Sequence, residues 1–241
     1  MLRDFSIFGN DISFNYVMVV LSFIIMSFIN YFRCKKYGVR PYHGIMIAFL
    51  VNVFGVLSAI LMFKLENISR WNEVGIGLSF YGTVFFLPIF MFIISLLYKI
   101  EKRRFIDIWA ITIPLELALV RFACFLEGCC LGIVASWGVH FPFDSPGVLR
   151  IPVQLFEIVF DLSILIGLII YERKYKKMDG NIYWIFMSVY SFGRYLLEFI
   201  RDTPKDTLGM SNGQIFAFIG LIVGILMIFA NSQIRKINLN K

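Results

Sequence analysis

Along its 241 residues the chain alternates apolar stretches of roughly one helix span with short polar connections. The apolar stretches cover about 15–33, 44–63, 75–98, 105–126, 153–171, 181–200 and 213–232. A helix needs about 20 apolar residues to cross the hydrocarbon core of a bilayer. The pattern therefore predicts an all-α membrane protein of seven transmembrane helices, a single domain over 1–241 with an external loop at about 128–152. The first stretch lacks a small-residue cleavage site after a short apolar core and a basic leader, so it reads as a retained helix. Composition agrees, because 59% hydrophobic residues, 27 of the 241 being Phe, leave too little polar surface for a water-soluble globule.

Charge fixes the expected orientation. Arg33, Lys35, Lys36, Arg40, Lys99, Lys102, Arg103, Arg104, Arg173, Lys174, Lys176, Lys177, Arg235, Lys236 and Lys241 collect on one side of the threaded helices. Arg3, Lys64, Arg70, Arg150, Arg201 and Lys205 fall on the other. Basic connections are held in the cytoplasm, so fifteen against six places the N-terminus outside and the C-terminus inside. The net charge of +7 is then mostly a topology signal, and no nucleic-acid partner is expected.

Within the apolar stretches four ionisable residues, Arg121, Glu157, Arg194 and Glu198, thread to the outer end. A charge at the centre of a membrane helix costs about 2.5–3.5 kcal/mol on insertion scales, so such groups face a protein interior or a wet cavity. Arg194 and Glu198 are four apart on one helix face, with Tyr190 a turn earlier. Tyr16, Tyr81 and Gln214 thread to the same layer, and Glu116 lies deeper in the fourth stretch. Two readings stand. The arginines and carboxylates neutralise each other and fix helix packing, or the planar guanidinium forks hold an anionic substrate such as a phosphate.

The segment from Gly128 to Pro152 is the longest outer connection, with Trp137 and Phe141 suited to a membrane interface. His140, inside it, is a candidate proton acceptor. Cys34 threads to the cytoplasmic side, while Cys124, Cys129 and Cys130 lack matching His or Cys ligands, so no metal and no cofactor are expected. Cys124 and Cys129 are candidates for a disulfide, and any of the three outer thiols for a nucleophile. Phosphate loops, GxSxG and HExxH are absent from the sequence.

Several fixed spacings together resemble the bacterial prolipoprotein diacylglyceryl transferase family. Arg121-Phe-Ala-Cys-Phe-Leu-Glu-Gly-Cys-Cys-Leu-Gly132 is similar to its Arg-x-Gly-Asn-Phe-x-x-Gly-Glu-x-x-Gly signature. Pro152-Val-Gln-Leu-Phe-Glu157 is close to His-Pro-x-Gln-Leu-Tyr-Glu, and Tyr190-Ser-Phe-Gly-Arg-Tyr-Leu-Leu-Glu-Phe-Ile-Arg201 and Ser211-Asn-Gly-Gln214 match the last two helices. The resemblance implies transfer of the diacylglyceryl group of phosphatidylglycerol to the thiol of a lipobox cysteine, with release of glycerol phosphate. It implies that Arg121 and Arg194 bind the phosphate and that Tyr16, Gln154, Glu157, Tyr190, Glu198 and Gln214 form the substrate site. The departures lie on the acceptor side. Tyr81-Gly-Thr stands for the family's His-Gly-Gly, Cys124 for its asparagine, Cys129 for its glutamate and Ile151 for the histidine before Pro152.

The leading expectation is a multi-pass, monomeric enzyme of the bacterial cytoplasmic membrane, its site facing outward, using phosphatidylglycerol or a related anionic phospholipid and a prolipoprotein. Tyr81 or His140 would replace the missing base. The rivals are a divergent paralogue with the same donor and another acceptor, a non-catalytic phospholipid-binding or lipid-moving protein, and an acyltransferase acting through Cys129 or Cys130.

Overall fold

The computed structural model describes all residues except 1–3, 8, 9, 69, 70, 74, 76, 78, 176–179, 206–208, 240 and 241, and gives the backbone alone for 4–7, 10–16, 41, 80 and 234–239. A short antiparallel hairpin, β1 (Asp4–Ile7) and β2 (Asn10–Ser13), pairs Asp4 with Ser13 and leads into α1 (Phe14–Lys36). The chain continues through α2 (Pro41–Glu66), α3 (Phe80–Leu97), α4 (Lys102–Ala110) and α5 (Ile113–Glu127). Two-residue strands β3 (Val134–Ala135) and β4 (Leu149–Arg150) pair within the connection to α6 (Val153–Tyr175). Then come α7 (Asn181–Leu197), a 3-10 turn at Glu198–Ile200 and α8 (Asn212–Leu239).

The protein is helical, and five stretches are long and apolar enough to cross a membrane: Val17–Lys36, Tyr42–Glu66, Lys102–Glu127, Val153–Tyr175 and Asn212–Gln233. A shorter apolar helix covers Tyr81–Leu97. The predicted fourth helix is broken where Pro114, without an N–H, cannot continue the ladder from Ala110. The freed carbonyls find side-chain donors. Arg33 Nε reaches Ile108 O at 2.9 Å, and Thr112 Oγ1 reaches Trp109 O at 2.9 Å. Pro88 inside α3 likewise leaves Val84 O without its helical donor, and the Tyr183 hydroxyl donates to it. Buried Asp107 on α4 accepts from Gly180 N at 2.7 Å and Tyr183 N at 3.1 Å, capping α7 from another helix.

Ile47, Val51, Val84, Met91, Phe105, Ile108, Ile182, Tyr183 and Phe186 form the centre of the core. Large apolar side chains also line the outside, with Phe28, Phe49 and Val159 each 65% exposed, as expected of helices solvated by lipid. Gly220 and Gly224 bring α8 against α7. A Cβ at either would lie 2.5 Å or 2.3 Å from the hydroxyl of Ser191 or Ser188. This close seam holds the start of α8 beside the end of α7.

Candidate functional site

Glu157, in the first turns of α6, is the centre of the polar layer. Its Oε2 lies 3.0 Å from Arg121 Nε on α5, and its Oε1 meets Arg194 Nη1 on α7 and Arg201 Nη1, the last at 3.2 Å. Glu198 continues the cluster, 2.8 Å from Arg194 Nη2 and 3.7 Å from Arg201 Nε. Glu157, Arg194, Glu198 and Arg201 are 4%, 9%, 2% and 8% exposed, depths at which a charge needs a partner. Three guanidiniums against two carboxylates leave this group with one positive charge in excess.

The pairing is incomplete in a particular way. Glu157 Oε2, Glu198 Oε2 and Arg201 Nε make ion contacts, yet among the described residues none has an aligned hydrogen-bond partner. Arg121 engages Glu157 through Nε, and no hydrogen bond from its terminal amino groups is formed among the described residues. Buried polar atoms left in this state are rare and call for a partner such as a ligand, an ion or an ordered water.

Arg201 was missed as a site residue because it falls at the end of a helical segment and counts as an outer-side charge. Its spacing of three from Glu198 was the available signal. Asp161, one turn along α6 from Glu157, was also missed; it is buried, and its Oδ1 has no hydrogen-bond partner among the described residues.

Gln214 stands at the start of α8, beside the ion cluster. Its Oε1 accepts from Ser211 N at 3.0 Å while Ser211 Oγ accepts from Gln214 N at 3.1 Å, which is a capping box at the start of α8. Its oxygen thus serves the helix end. Ser211 Oγ and Thr203 Oγ1 each donate to Glu198 Oε1 at 3.0 Å, so the cap also steadies the ion cluster.

Tyr190 is buried beside Phe186, its ring 5.7 Å away, one turn before Arg194. Tyr81, also buried, donates its hydroxyl proton to Gly213 O at 3.1 Å. Glu116 is half-buried on α5. The Tyr16 side chain lies outside the described residues. Gln154 is fully buried, with Nε2 2.6 Å from Cys129 O and Oε1 without a partner among the described residues.

The outer connection is pinned by Arg150, which reaches Asp144 at 2.9 Å, Gly132 O at 3.2 Å and Asp202 at 2.8 Å. Trp137 is exposed, but Phe141 does not take the interfacial seat expected of it. It is fully buried between Phe125 and Phe143, with ring centres 6.3 Å and 5.8 Å away. His140 is exposed, with Nδ1 2.9 Å from Val148 O, which leaves Nε2 open. Among the described residues no hydrogen bond joins it to the arginine cluster.

The outer cysteines are brought together although their spacing matches no metal motif. The sulfurs of Cys124, Cys129 and Cys130 lie within 4.8 Å of one another, and all are free thiols. Cys34 is buried elsewhere in the core.

A helical membrane protein with an arginine-rich ion cluster between its helices is the class that this fold and site define. The chain belongs to the prolipoprotein diacylglyceryl transferase family, whose model matches residues 5–230. It is similar to a phosphatidylglycerol–prolipoprotein diacylglyceryl transferase of Campylobacter hominis, 30% identical over 272 residues that cover 98% of this chain and 94% of the relative. The enzyme of the same name from Clostridium tetani is 25% identical over 245 residues, 96% of this chain and 98% of the relative. A second such enzyme of Clostridium perfringens is 28% identical over 204 residues, covering 78% and 79%.

Proposed function

We propose that the protein transfers the diacylglyceryl group of phosphatidylglycerol to the thiol of a prolipoprotein cysteine. The names of its relatives supply donor and acceptor, and the arrangement of Arg121 carries the reading. Arg121 is anchored to Glu157 through Nε, and its two terminal amino groups remain for a phosphate. A phosphodiester carries a charge of −1 and two free oxygens that such amino groups bind. As the carbon–oxygen bond of the donor breaks, a second negative charge grows on the departing phosphate. Arg121, Arg194 and Arg201 oppose that charge most strongly in the transition state, which is where binding accelerates a reaction. Glu157 holds the three guanidiniums in place, and Gln154, Tyr190 and Glu198 border the substrate.

In this reading the chain is one bundle of seven crossing segments, α4 and α5 forming a single broken one. It works as a monomer in the bacterial cytoplasmic membrane, with the N-terminus and the site outside. Loop charge supports that orientation. The acceptor thiol must lose a proton before it attacks carbon. Tyr81 uses its O–H on Gly213 O, whereas His140 keeps Nε2 open in an exposed loop. A His140→Ala variant that retains full turnover removes the histidine as base, and a fully active Tyr81→Phe removes the phenol.

Two thiols, Cys124 and Cys129, where the resemblance expects Asn and Glu favour a second reading, the same donor with another acceptor. Incubation of purified protein with head-group-labelled phosphatidylglycerol, with and without a lipobox peptide, separates these readings. Glycerol phosphate released only with the peptide supports the proposal. Release without it points to another acceptor, and no release under either condition to lipid binding without chemistry.

A further inference from the structure

The three outer thiols are built into one place by the end of α5. Gly128 (φ +74°) ends the helix, and both its N–H and that of Cys129 return to Cys124 O, at 3.0 Å and 2.9 Å. This six-to-one closure folds the residue after the glycine back over the one five positions earlier, so Cys129 meets Cys124. Cys130 then takes φ +56°, a left-handed conformation uncommon for a residue with a Cβ, and its sulfur joins the other two. Gln154 Nε2 holds the Cys129 carbonyl from α6, and its fully buried Oε1 has no partner among the described residues.

We propose that Cys124, Cys129 and Cys130 hold one thiophilic cation, of the Zn(II) type, and that its remaining coordination position takes the acceptor's sulfur. Metal–sulfur bonds of about 2.3 Å place tetrahedral sulfur ligands roughly 3.8 Å apart. Starting from 4.8 Å or less, each pair closes by about 1 Å or less. Three thiolates around a dication carry a charge of −1, and Arg121 stands one turn before Cys124 on the same helix. Cys124 is buried, but Cys129 and Cys130 are partly exposed, so the outer side of the cluster is open to an incoming group. A site with three protein ligands and one free position is the reactive form of zinc coordination.

The role rests on the transferase reading above. An acceptor thiol that binds the cation exchanges its S–H for an S–metal bond, and the proton leaves to water. The bound thiolate then attacks the diacylglyceryl carbon that carries the phosphate oxygen. A C–S bond forms, the C–O bond breaks, and the electron pair stays on the phosphate oxygen of glycerol phosphate. No group is oxidised or reduced. Arg121 precedes Cys124 by three residues, so the phosphate-binding and sulfur-binding groups sit about one turn apart on α5, at a pitch of about 5.4 Å. The cation thereby supplies what the resemblance expects from a helix-3 histidine, at positions where this chain has thiols.

The test uses the full protein in phospholipid nanodiscs, reduced, stripped of metal and titrated with Co(II). One equivalent giving an intense thiolate-to-cobalt band, displaced by Zn(II), is expected. Cys124→Ser, Cys129→Ser and Cys130→Ser should each weaken binding by more than the roughly 10–100-fold that loss of an outer-shell partner costs. Cys34→Ser should leave it unchanged. A lipobox peptide should shift the band, and its Cys→Ser version should not. Absence of the band, binding indifferent to the three serine variants, or a disulfide among these cysteines in freshly isolated protein overturns the proposal. So does full glycerol phosphate release by metal-stripped wild type, a result that leaves the transferase reading standing. A peptide-shifted band with no glycerol phosphate release would instead support the metal site and sink the transferase reading.

Discussion

Two buried carboxylates, both on α6, show how the same residue types serve different ends. Glu172 near the C-terminal end receives Arg33 through both terminal nitrogens, at 3.3 Å and 3.1 Å, and the Tyr37 hydroxyl. Arg33 Nε is used as well, on Ile108 O. Donors and acceptors there are matched, and the group ties α1 to α4 and α6. Glu157 near the other end of α6 gathers three arginines, but two of the carboxylate oxygens in that cluster lack an aligned donor and Arg121 keeps its terminal groups. Spare hydrogen-bonding capacity, rather than the presence of buried charge, separates a candidate binding site from a structural clamp.

The largest test of the contrast is to remove each carboxylate. Glu172→Gln leaves Arg33 without its buried counter-charge and should cost about 3–5 kcal/mol, read as a drop in the thermal unfolding midpoint. Glu157→Gln should cost a similar amount, but phosphatidylglycerol should restore more of the loss there, because its phosphate engages the same arginines. Equal response of the two variants to the lipid would break the comparison. Next in size, Arg121→Ala should slow glycerol phosphate release by about 10²–10³, the usual effect of losing one charge-stabilising donor. Arg33→Ala should lower stability while leaving turnover per folded molecule near wild type.

Smaller effects sharpen the structural side. Tyr183→Phe leaves Val84 O, already deprived of a donor by Pro88, unpaired, and should cost about 1–3 kcal/mol with turnover kept. Ser211→Ala removes a helix cap and should cost about 1 kcal/mol. That serine also donates to Glu198, so a small fall in turnover should accompany the loss of stability. A Ser211→Ala enzyme with wild-type turnover would show that the cap and the ion cluster are uncoupled.

The membrane class and the rough positions of the apolar helices, though not the break between α4 and α5, were legible in the sequence because lipid imposes one strong requirement, about 20 apolar residues in a self-satisfied helix. The gathering of Arg121, Glu157, Arg194 and Glu198 in one layer was legible too, since charges in apolar helices need a partner or a wet cavity, but whether they pair with each other or hold an anion stayed open. Family membership followed from the spacing of short motifs. Tertiary structure alone decided the rest. It turned Arg201 inward, gave Gln214 to a helix cap and buried Phe141 beneath its loop. It also closed Cys129 and Cys130 over Cys124 through two left-handed residues. Hydrophobic periodicity reports depth in the bilayer. Which polar atom is satisfied, and by whom, depends on backbone turns and on contacts between helices far apart in the chain.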